Sequence, residues 1–406
     1  MRIIVLQTTG GFTSDGRSGG GATHFENLMR EWGKFGAEVI LITNSADQGV
    51  GVRYAGVNGV YKLPAFRFEA SSRILFLIGI LANPFIQHRA IEAALSDIAI
   101  RNRGESIVVA TGPYPSDVLG TLSASRRLRI PGVIYHHHLA PPPWSNPLRR
   151  RPLIRVLVNW GMSHFALIMS KVCNIYPSLD QPRTLREYGY NFPVEPLVNQ
   201  NAPPTVRCTS CLLTTPQYHA AFIGRISRYK GVVDLLKAWQ IVRWTLPEAR
   251  LMLAGEPNPS DYDKLVSRPI SRLGLDGSVD TQGYVSQEKK VQILHNSRLF
   301  VFPSYEEGWS LSVMEAAAHG VVPVVYNLPA YDYLGDDCIR VPLGDIQALA
   351  HAISDTLTHH DRTASMAKRV MKRSRGFTLG GIARDQLAGF ESIVKSRSEP
   401  RGRSTL

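Results

Sequence analysis

Short apolar runs recur along this chain, each followed by a polar or glycine-rich loop and then by a stretch of helical spacing. In the first half the runs fall at residues 2–6, 38–43, 106–110, 132–135, 171–175 and 194–198. In the second they fall at 218–223, 249–254, 278–282, 299–302 and 321–325. Helical patterns lie between them, at 22–35, 232–244, 261–273, 287–296 and 311–319. Runs this apolar, without alternation, are the mark of parallel strands covered on both faces by helices. A β-sandwich, a helical bundle and a coiled coil are excluded by that pattern. After residue 346 the spacing is helical through 375, and 379–395 reads as a final helix.

The chain has 406 residues, too many for one ordinary core, so two doubly wound domains facing each other across a cleft are expected. Ligands in such sheets bind beyond the carboxyl ends of the strands. The segment 199–217 is rich in Pro, Thr and Asn and reads as a linker. Four cysteines, Cys173, Cys208, Cys211 and Cys338, are too few for a disulfide framework and fit a reducing compartment. Cys208 and Cys211 form a lone CxxC, which without a second pair falls short of a structural zinc site. The longest apolar run, 74–82, is too short to span a bilayer, and no signal peptide is visible. A cytoplasmic protein is expected, soluble or resting on the inner face of the membrane.

Two segments carry chemistry. In the first, Phe222-Ile223-Gly224-Arg225 is followed by Lys230-Gly231 at the opening of a helix. A guanidinium fork and an ammonium at one strand end suit a diphosphate. In the second, a strand ends at Pro303, Glu306 and Glu307 lie in the loop, and Gly308-Trp309-Ser310-Leu311 leads into a helix. A helix N-terminus offers unpaired N–H groups and about half a positive charge to a phosphate. Glu315 falls inside that helix among Met314, Ala316, Ala317 and Ala318. A carboxylate there needs a partner, and ribose hydroxyls can supply one.

Together these segments resemble the retaining glycosyltransferases of family 4, which have the GT-B fold. The family pattern is Gly-Arg, then Lys-Gly, then Glu-x7-Glu. Here Glu307 and Glu315 have that spacing, and Leu253-Ala254-Gly255 and Val322-Pro323-Val324-Val325 also fit. The resemblance implies an N-terminal Rossmann-like acceptor domain over 1–200, a linker at 201–217 and a Rossmann-like donor domain over 218–376. It also implies a helix at 377–396 packing back on the first domain, with a tail at 397–406. It implies that Arg225 and Lys230 hold the donor diphosphate beside Gly224. Glu307 would face the anomeric carbon and Glu315 would bind the ribose. Gly308, Trp309, Ser310 and Leu311 would present backbone N–H groups, and Tyr284 and Val285 would lie near the base.

The first half matches less closely. Gly19, Gly20 and Gly21 before a helix fit the family's phosphate-approaching loop, with Gly10 and Gly11 as a second candidate. His136-His137-His138 stands at a strand end where the family often places a histidine near acceptor and sugar. Alignment on Leu-Ala-Pro selects His137, and a slip of one residue selects His136. Adjacent strand residues point to opposite faces, so the three do not make a metal site. The family's hinge Asn-Gly is Asn201-Ala202 here, and its usual Glu after the Pro-Val-Val strand is missing, with Tyr331-Asp332-Tyr333 nearby.

The implied reaction moves a hexosyl group from a nucleoside diphosphate to a hydroxyl of a glycan or lipid-linked acceptor, with retention of configuration. Arg225, Lys230 and the helix at Ser310 would stabilise the leaving diphosphate, so neither divalent metal nor another cofactor is expected. The acidic residues Asp332, Asp336 and Asp337 read as a solvated loop. The formal net charge of +13 favours anionic partners. Arg149-Arg150-Arg151 precedes Pro152 at a helix start, opposing the helix dipole by roughly 0.3–1 kcal/mol each. With Arg126, Arg127 and Arg129 they suggest an anionic membrane surface. No nucleic-acid partner is expected, because the basic residues lack interleaved aromatics. The rival readings are an epimerase on the same fold and a non-catalytic sugar-nucleotide binder. The binder should have lost one of Arg225, Lys230, Glu307 or Glu315, and all four are present.

Overall fold

The computed structural model describes residues 1–7, 20–43, 56–63, 87–99, 105–136, 160–161, 172–176, 180–187, 191–192, 194–198, 202, 216–257 and 261–398. The chain divides into two compact units. One contains the N-terminal strands and helices together with the last helix, and the other spans Ala202–Thr378.

The first unit is built on a parallel sheet. Its strands are β1 (Arg2–Gln7), β2 (Glu38–Thr43), β3 (Gly59–Lys62), β4 (Ser106–Ala110), β5 (Gly132–Tyr135), β6 (Cys173–Tyr176) and β7 (Leu197–Val198). Their spatial order is β3-β2-β1-β4-β5-β6-β7. The register places Ile4 between Ile40 and Val108, so the apolar runs stack side by side in the middle of the sheet. The helices are α1 (Gly20–Lys34), α2 (residues 87–99), α3 (Pro115–Arg127) and α4 (Asp180–Glu187). Two details differ from expectation. Helix α1 begins at Gly20, so Gly20 and Gly21 form its first turn instead of the loop before it. Strand β3 had no sequence signal: its four residues lie at the sheet edge, none fully buried, and form no apolar run.

The last helix, Leu379–Ser398, belongs to this first unit. It packs along α1, where Trp32 Nε1 donates to Gln386 Oε1 at 3.1 Å. Phe390 meets the Trp32 ring edge-to-face at 5.7 Å. Trp32 and Phe390 are fully buried, so the helix closes the core over α1.

The second unit repeats the architecture. Strands β8 (Tyr218–Ile223), β9 (Leu251–Ala254), β10 (Val279–Gln282), β11 (Ser297–Phe302), β12 (Val322–Tyr326) and β13 (Ile339–Val341) form a parallel sheet in the order β10-β9-β8-β11-β12-β13. Consecutive strands run outward from β8 on one side and from β11 on the other. The β8–β11 seam is therefore the topological switch point, where the following loops diverge and leave a crevice. Helices α5 (Val232–Thr245), α6 (Arg268–Arg272), α7 (Gln287–His295), α8 (Leu311–Ala318), α9 (Ile346–Thr358) and α10 (His360–Ser374) complete the unit, making Leu379–Ser398 α11.

Three expectations change in this unit. The helix expected at 261–273 is a wide turn at Asp263–Ser267 followed by α6. Pro269 lacks the N–H that a continuous ladder needs, and the turn before it widens. The helix expected through 375 breaks at His359, whose φ of −97° and ψ of 71° are not helical. The acidic stretch is only in part a solvated loop: Asp332 and Asp336 are exposed. Asp337 is buried, accepts from Arg369 Nε at 2.7 Å and Arg373 Nε at 3.2 Å, and ends a 3₁₀ segment at Pro329–Asp337. The two arginines stand four apart on α10, hence on one face. No helix among the described residues is long and apolar enough to cross a membrane.

Candidate functional site

The site lies at the carboxyl ends of β8 and β11. Strand β8 stops at Ile223, and Gly224 follows where the Phe302 ring leaves no room: a Cβ there would sit 3.0 Å from it. Phe222 and Phe302 stack at 5.1 Å beneath. Arg225 is exposed, and a 3₁₀ turn at Arg228–Lys230 brings the chain to Gly231. Gly231 has φ 72°, and a Cβ on it would lie 1.9 Å from the Pro303 carbonyl. The turn into α5 is thus pressed against the end of β11, which only glycine permits.

That contact brings two loops together. Tyr305 N donates to the Tyr229 carbonyl at 2.8 Å. Next to this bond, Lys230 Nζ donates to Glu307 Oε1 as a close ion pair. The side chains are 14% and 3% exposed, which makes the pair nearly dry. The Lys230 ammonium also stands 5.4 Å from the Phe302 and Tyr229 ring centroids. A buried charge needs such company, because the desolvation of a lone ion costs several kcal/mol.

From Glu307 the chain passes buried Gly308, Trp309 and Ser310 into α8. The Trp309 indole turns inward, stacked on Tyr333 at 4.3 Å and edge-on to Phe377 at 5.6 Å. Burial raises the Tyr333 and Tyr331 phenols well above their ordinary value, and the nearby Glu307 charge adds to it. Ser310, the residue before α8, is left-handed at φ 50°, ψ 83°, with no side-chain cap on the helix. A non-glycine residue there stores roughly 1–3 kcal/mol of strain. The turn leaves the first N–H groups of α8 uncapped at the same strand end as Lys230 and Arg225. One positive pole, two cations and one carboxylate thus surround the switch point, an arrangement suited to a diphosphate.

Glu315, buried in α8, is held by a residue that sequence reasoning did not single out. Lys290 Nζ, from α7, donates to both of its carboxylate oxygens at 3.0 and 2.8 Å. Beyond Lys290, His319 Nδ1 and His295 Nε2 share a 3.0 Å hydrogen bond. Burial, chiefly, then the His295, Arg375 and Lys290 charges push His319 down to about 4. Tyr284 is exposed on the turn after β10, and Val285 packs partly into the core. Gly255 N, at the end of β9, donates to the Gln282 and Gly283 carbonyls of that turn at 2.9 and 3.1 Å.

Two family models match the chain. Residues 217–359 match "Glycosyl transferases group 1", and 19–171 match "Glycosyl transferase 4-like domain". The two models together cover most of the chain, and it is a glycosyltransferase. A relative in Xanthomonas campestris, GDP-mannose:cellobiosyl-diphosphopolyprenol alpha-mannosyltransferase, is 27% identical over 63% of this chain and 72% of its own. Its counterpart in Xanthomonas oryzae is 32% identical over 38% of this chain, a match that spans 43% of that relative. Among solved structures, sucrose-phosphate synthase from Thermosynechococcus elongatus is similar at TM-score 0.74 and 16% identity, covering 97% of this chain and 99% of that one. Anabaena HepE, solved with UDP and glucose, is similar at TM-score 0.71 and 16% identity, covering 96% and 99%. These likenesses establish the GT-B fold.

Within this glycosyltransferase the second unit gathers Gly224, Arg225, Lys230, Glu307, Gly308, Trp309, Ser310 and Leu311 at one seam. Glu315 lies one to two turns along α8, beside Lys290. Gly20 and Gly21 are in the first unit, at the start of α1. His137 and His138 lie outside the described residues, as do Gly10, Gly11, Gly19, Cys208, Cys211 and Arg149–Arg151. His136, the alternative to His137, is buried at the end of β5, stacked on Tyr176 at 4.8 Å and hydrogen-bonded through Nε2 to Asn174 Oδ1 at 2.9 Å. Arg126 and Arg127 lie in the last turn of α3, where cations complement the helix dipole, and Arg127 pairs with Glu92 at 3.0 Å.

Proposed function

We propose that this chain transfers a sugar from a nucleoside-diphosphate sugar to an acceptor hydroxyl, with retention of anomeric configuration and without a divalent metal. The observation that carries the reading is the Lys230–Glu307 pair set against the uncapped start of α8 at the switch point. The departing diphosphate gathers negative charge in the transition state, and Lys230, Arg225 and the α8 N–H groups supply positive charge there. Because these groups are fixed, no metal is required for charge neutralisation. Donor binding gives Lys230 a second anion to hold, and Glu307 then faces the sugar. The acceptor proton passes to the leaving diphosphate in a front-face attack, so Glu307 needs no covalent role. Glu315 anchors the ribose hydroxyls.

The acceptor is proposed to be a glycan or a lipid-linked sugar, by analogy with the Xanthomonas mannosyltransferases, whose named acceptor is a diphosphopolyprenol. A basic chain resting on the anionic inner face of a membrane would meet such an acceptor there. The test is a thermal-shift and turnover screen of the full chain against UDP-, GDP- and ADP-sugars, with and without chelator. Binding of none sinks the reading, and strict loss of turnover in chelator sinks its metal-free part. Salt-sensitive sedimentation with anionic vesicles tests the membrane part, which fails if no binding occurs at low salt.

A further inference from the structure

Beneath the Lys230–Glu307 pair lies a polar group that none of the proposed steps uses. Asp234, in the first turn of α5, is 3% exposed. Its Oδ2 accepts from the Tyr326 hydroxyl at 2.9 Å and from the Tyr305 hydroxyl in a shorter bond. Tyr326 ends β12, and Tyr305 is in the loop after β11, two residues before Glu307. The two rings meet edge-to-face at 5.1 Å. Burial, with the Asp234 charge adding, raises the Tyr326 phenol, so it stays a donor. Gly344 lies against the same group, so near that a Cβ on it would lie 3.2 Å from the Tyr305 hydroxyl.

Tyr305 is therefore tied at both ends. Its hydroxyl is anchored to the helix that follows Lys230. Its amide donates to the carbonyl of Tyr229, the residue before Lys230. Ser304 Oγ adds bonds to the Tyr229 and Glu306 carbonyls at 3.4 and 3.1 Å. The loop bearing the carboxylate and the turn bearing the ammonium are thereby fixed to one buried anion. A carboxylate in such surroundings costs stability unless its donors hold it, so its geometry is tightly specified.

We propose that Asp234 and Tyr305 are positioning residues which hold Glu307 and Lys230 in the arrangement that transfer requires; this rests on the glycosyltransferase reading above. Tyr326 orients Asp234 from the strand and meets the Glu307 loop through the Tyr305 ring. The inference assigns the network an effect on turnover through Glu307, distinct from its effect on stability.

The experiment compares Tyr305→Phe with Tyr326→Phe in the full chain. Each removes one hydroxyl from Asp234 and keeps its ring, so losses of thermal stability should match. Tyr305→Phe is expected to lower kcat about 30-fold with donor KM within about threefold, and Tyr326→Phe to lower kcat less than about threefold. In a Glu307→Gln background, Tyr305→Phe should add no more than about twofold, because it acts through the group already changed. Equal kcat losses for the two phenylalanine variants, or losses that multiply in that background, overturn the proposal. A ligand-free arm separates its failure from that of the functional reading. Hydrogen exchange over residues 226–231 and 303–310 should quicken about tenfold in Tyr305→Phe while β8 and β11 keep their protection. Unchanged exchange, or a uniform rise across Ala202–Thr378, overturns the positioning role. If the native chain turns over no donor, only the functional reading fails, and exchange still decides the positioning.

Discussion

Lys290 and Glu315 form a two-pronged ion pair, one ammonium donating to both oxygens of one carboxylate at 3.0 and 2.8 Å. Glu315 is 7% exposed and Lys290 21%, so neither is well served by water. The charge of Glu315 is already balanced before any ribose arrives. Replacing Lys290 by Met should leave a buried carboxylate without its counter-ion and cost about 3 kcal/mol of stability. Chemical denaturation measures this. A loss under half a kcal/mol would show that water reaches Glu315 freely.

The two glutamates should divide under kinetics. Glu315→Gln is expected to raise the donor KM roughly tenfold with kcat nearly kept, since a ribose contact binds ground and transition state alike. Glu307→Gln is expected to lower kcat roughly 100-fold or more with little change in KM. Steady-state kinetics on the best donor decides it. An inverted pattern would exchange the two roles.

Gly231→Ala tests the contact between the two loops. The added methyl meets the Pro303 carbonyl at 1.9 Å, on a backbone at φ 72°. Both terms act against it, so a stability loss above about 2 kcal/mol is expected, with donor binding impaired. Gly274, also left-handed at φ 64° but with open space around it, is the control. Its alanine variant should show only the backbone part, about 1 kcal/mol.

The imidazole pair predicts a pH window. His319 is lowered from 6.5 to about 4, first by burial and then by neighbouring positive charge. The unfolded chain therefore takes up a proton at a higher pH than the folded one. Stability from this residue is complete above about pH 6.5, falls as pH drops toward 4, and levels off below. Partial exposure screens the effect, leaving an expected loss of about 1 kcal/mol. His319→Gln should flatten that part of the curve in urea melts taken between those limits. A curve of unchanged slope would assign the loss to other groups.

Much of this fold was legible because parallel strands announce themselves: β2, β4, β5 and β8 fall at the expected residues, each a mostly apolar run. Edge strand β3 and strand β13 were invisible for the opposite reason, being short and half-buried. Lys230 and Glu307 could be singled out because each adjoins a glycine that punctuates a strand end. Lys290 could not. It stands in the tandem Lys289-Lys290 on a polar helix, and only the packing of α7 beside α8 tells which lysine turns to Glu315. Asp337 was misread for a related reason, since its arginines arrive from a helix more than thirty residues away in sequence.

The placement of α11 has a consequence for how this protein is made. The ribosome releases β1 to β7 first, but Trp32 receives Gln386 and Phe390 only after the whole second unit has emerged. At the roughly 5–20 residues per second of synthesis, a large indole on α1 waits tens of seconds for its cover. During that interval Trp32, fully buried in the finished fold, lacks the cover that Phe390 gives it. Helix α11, translated after the second unit, ends the wait.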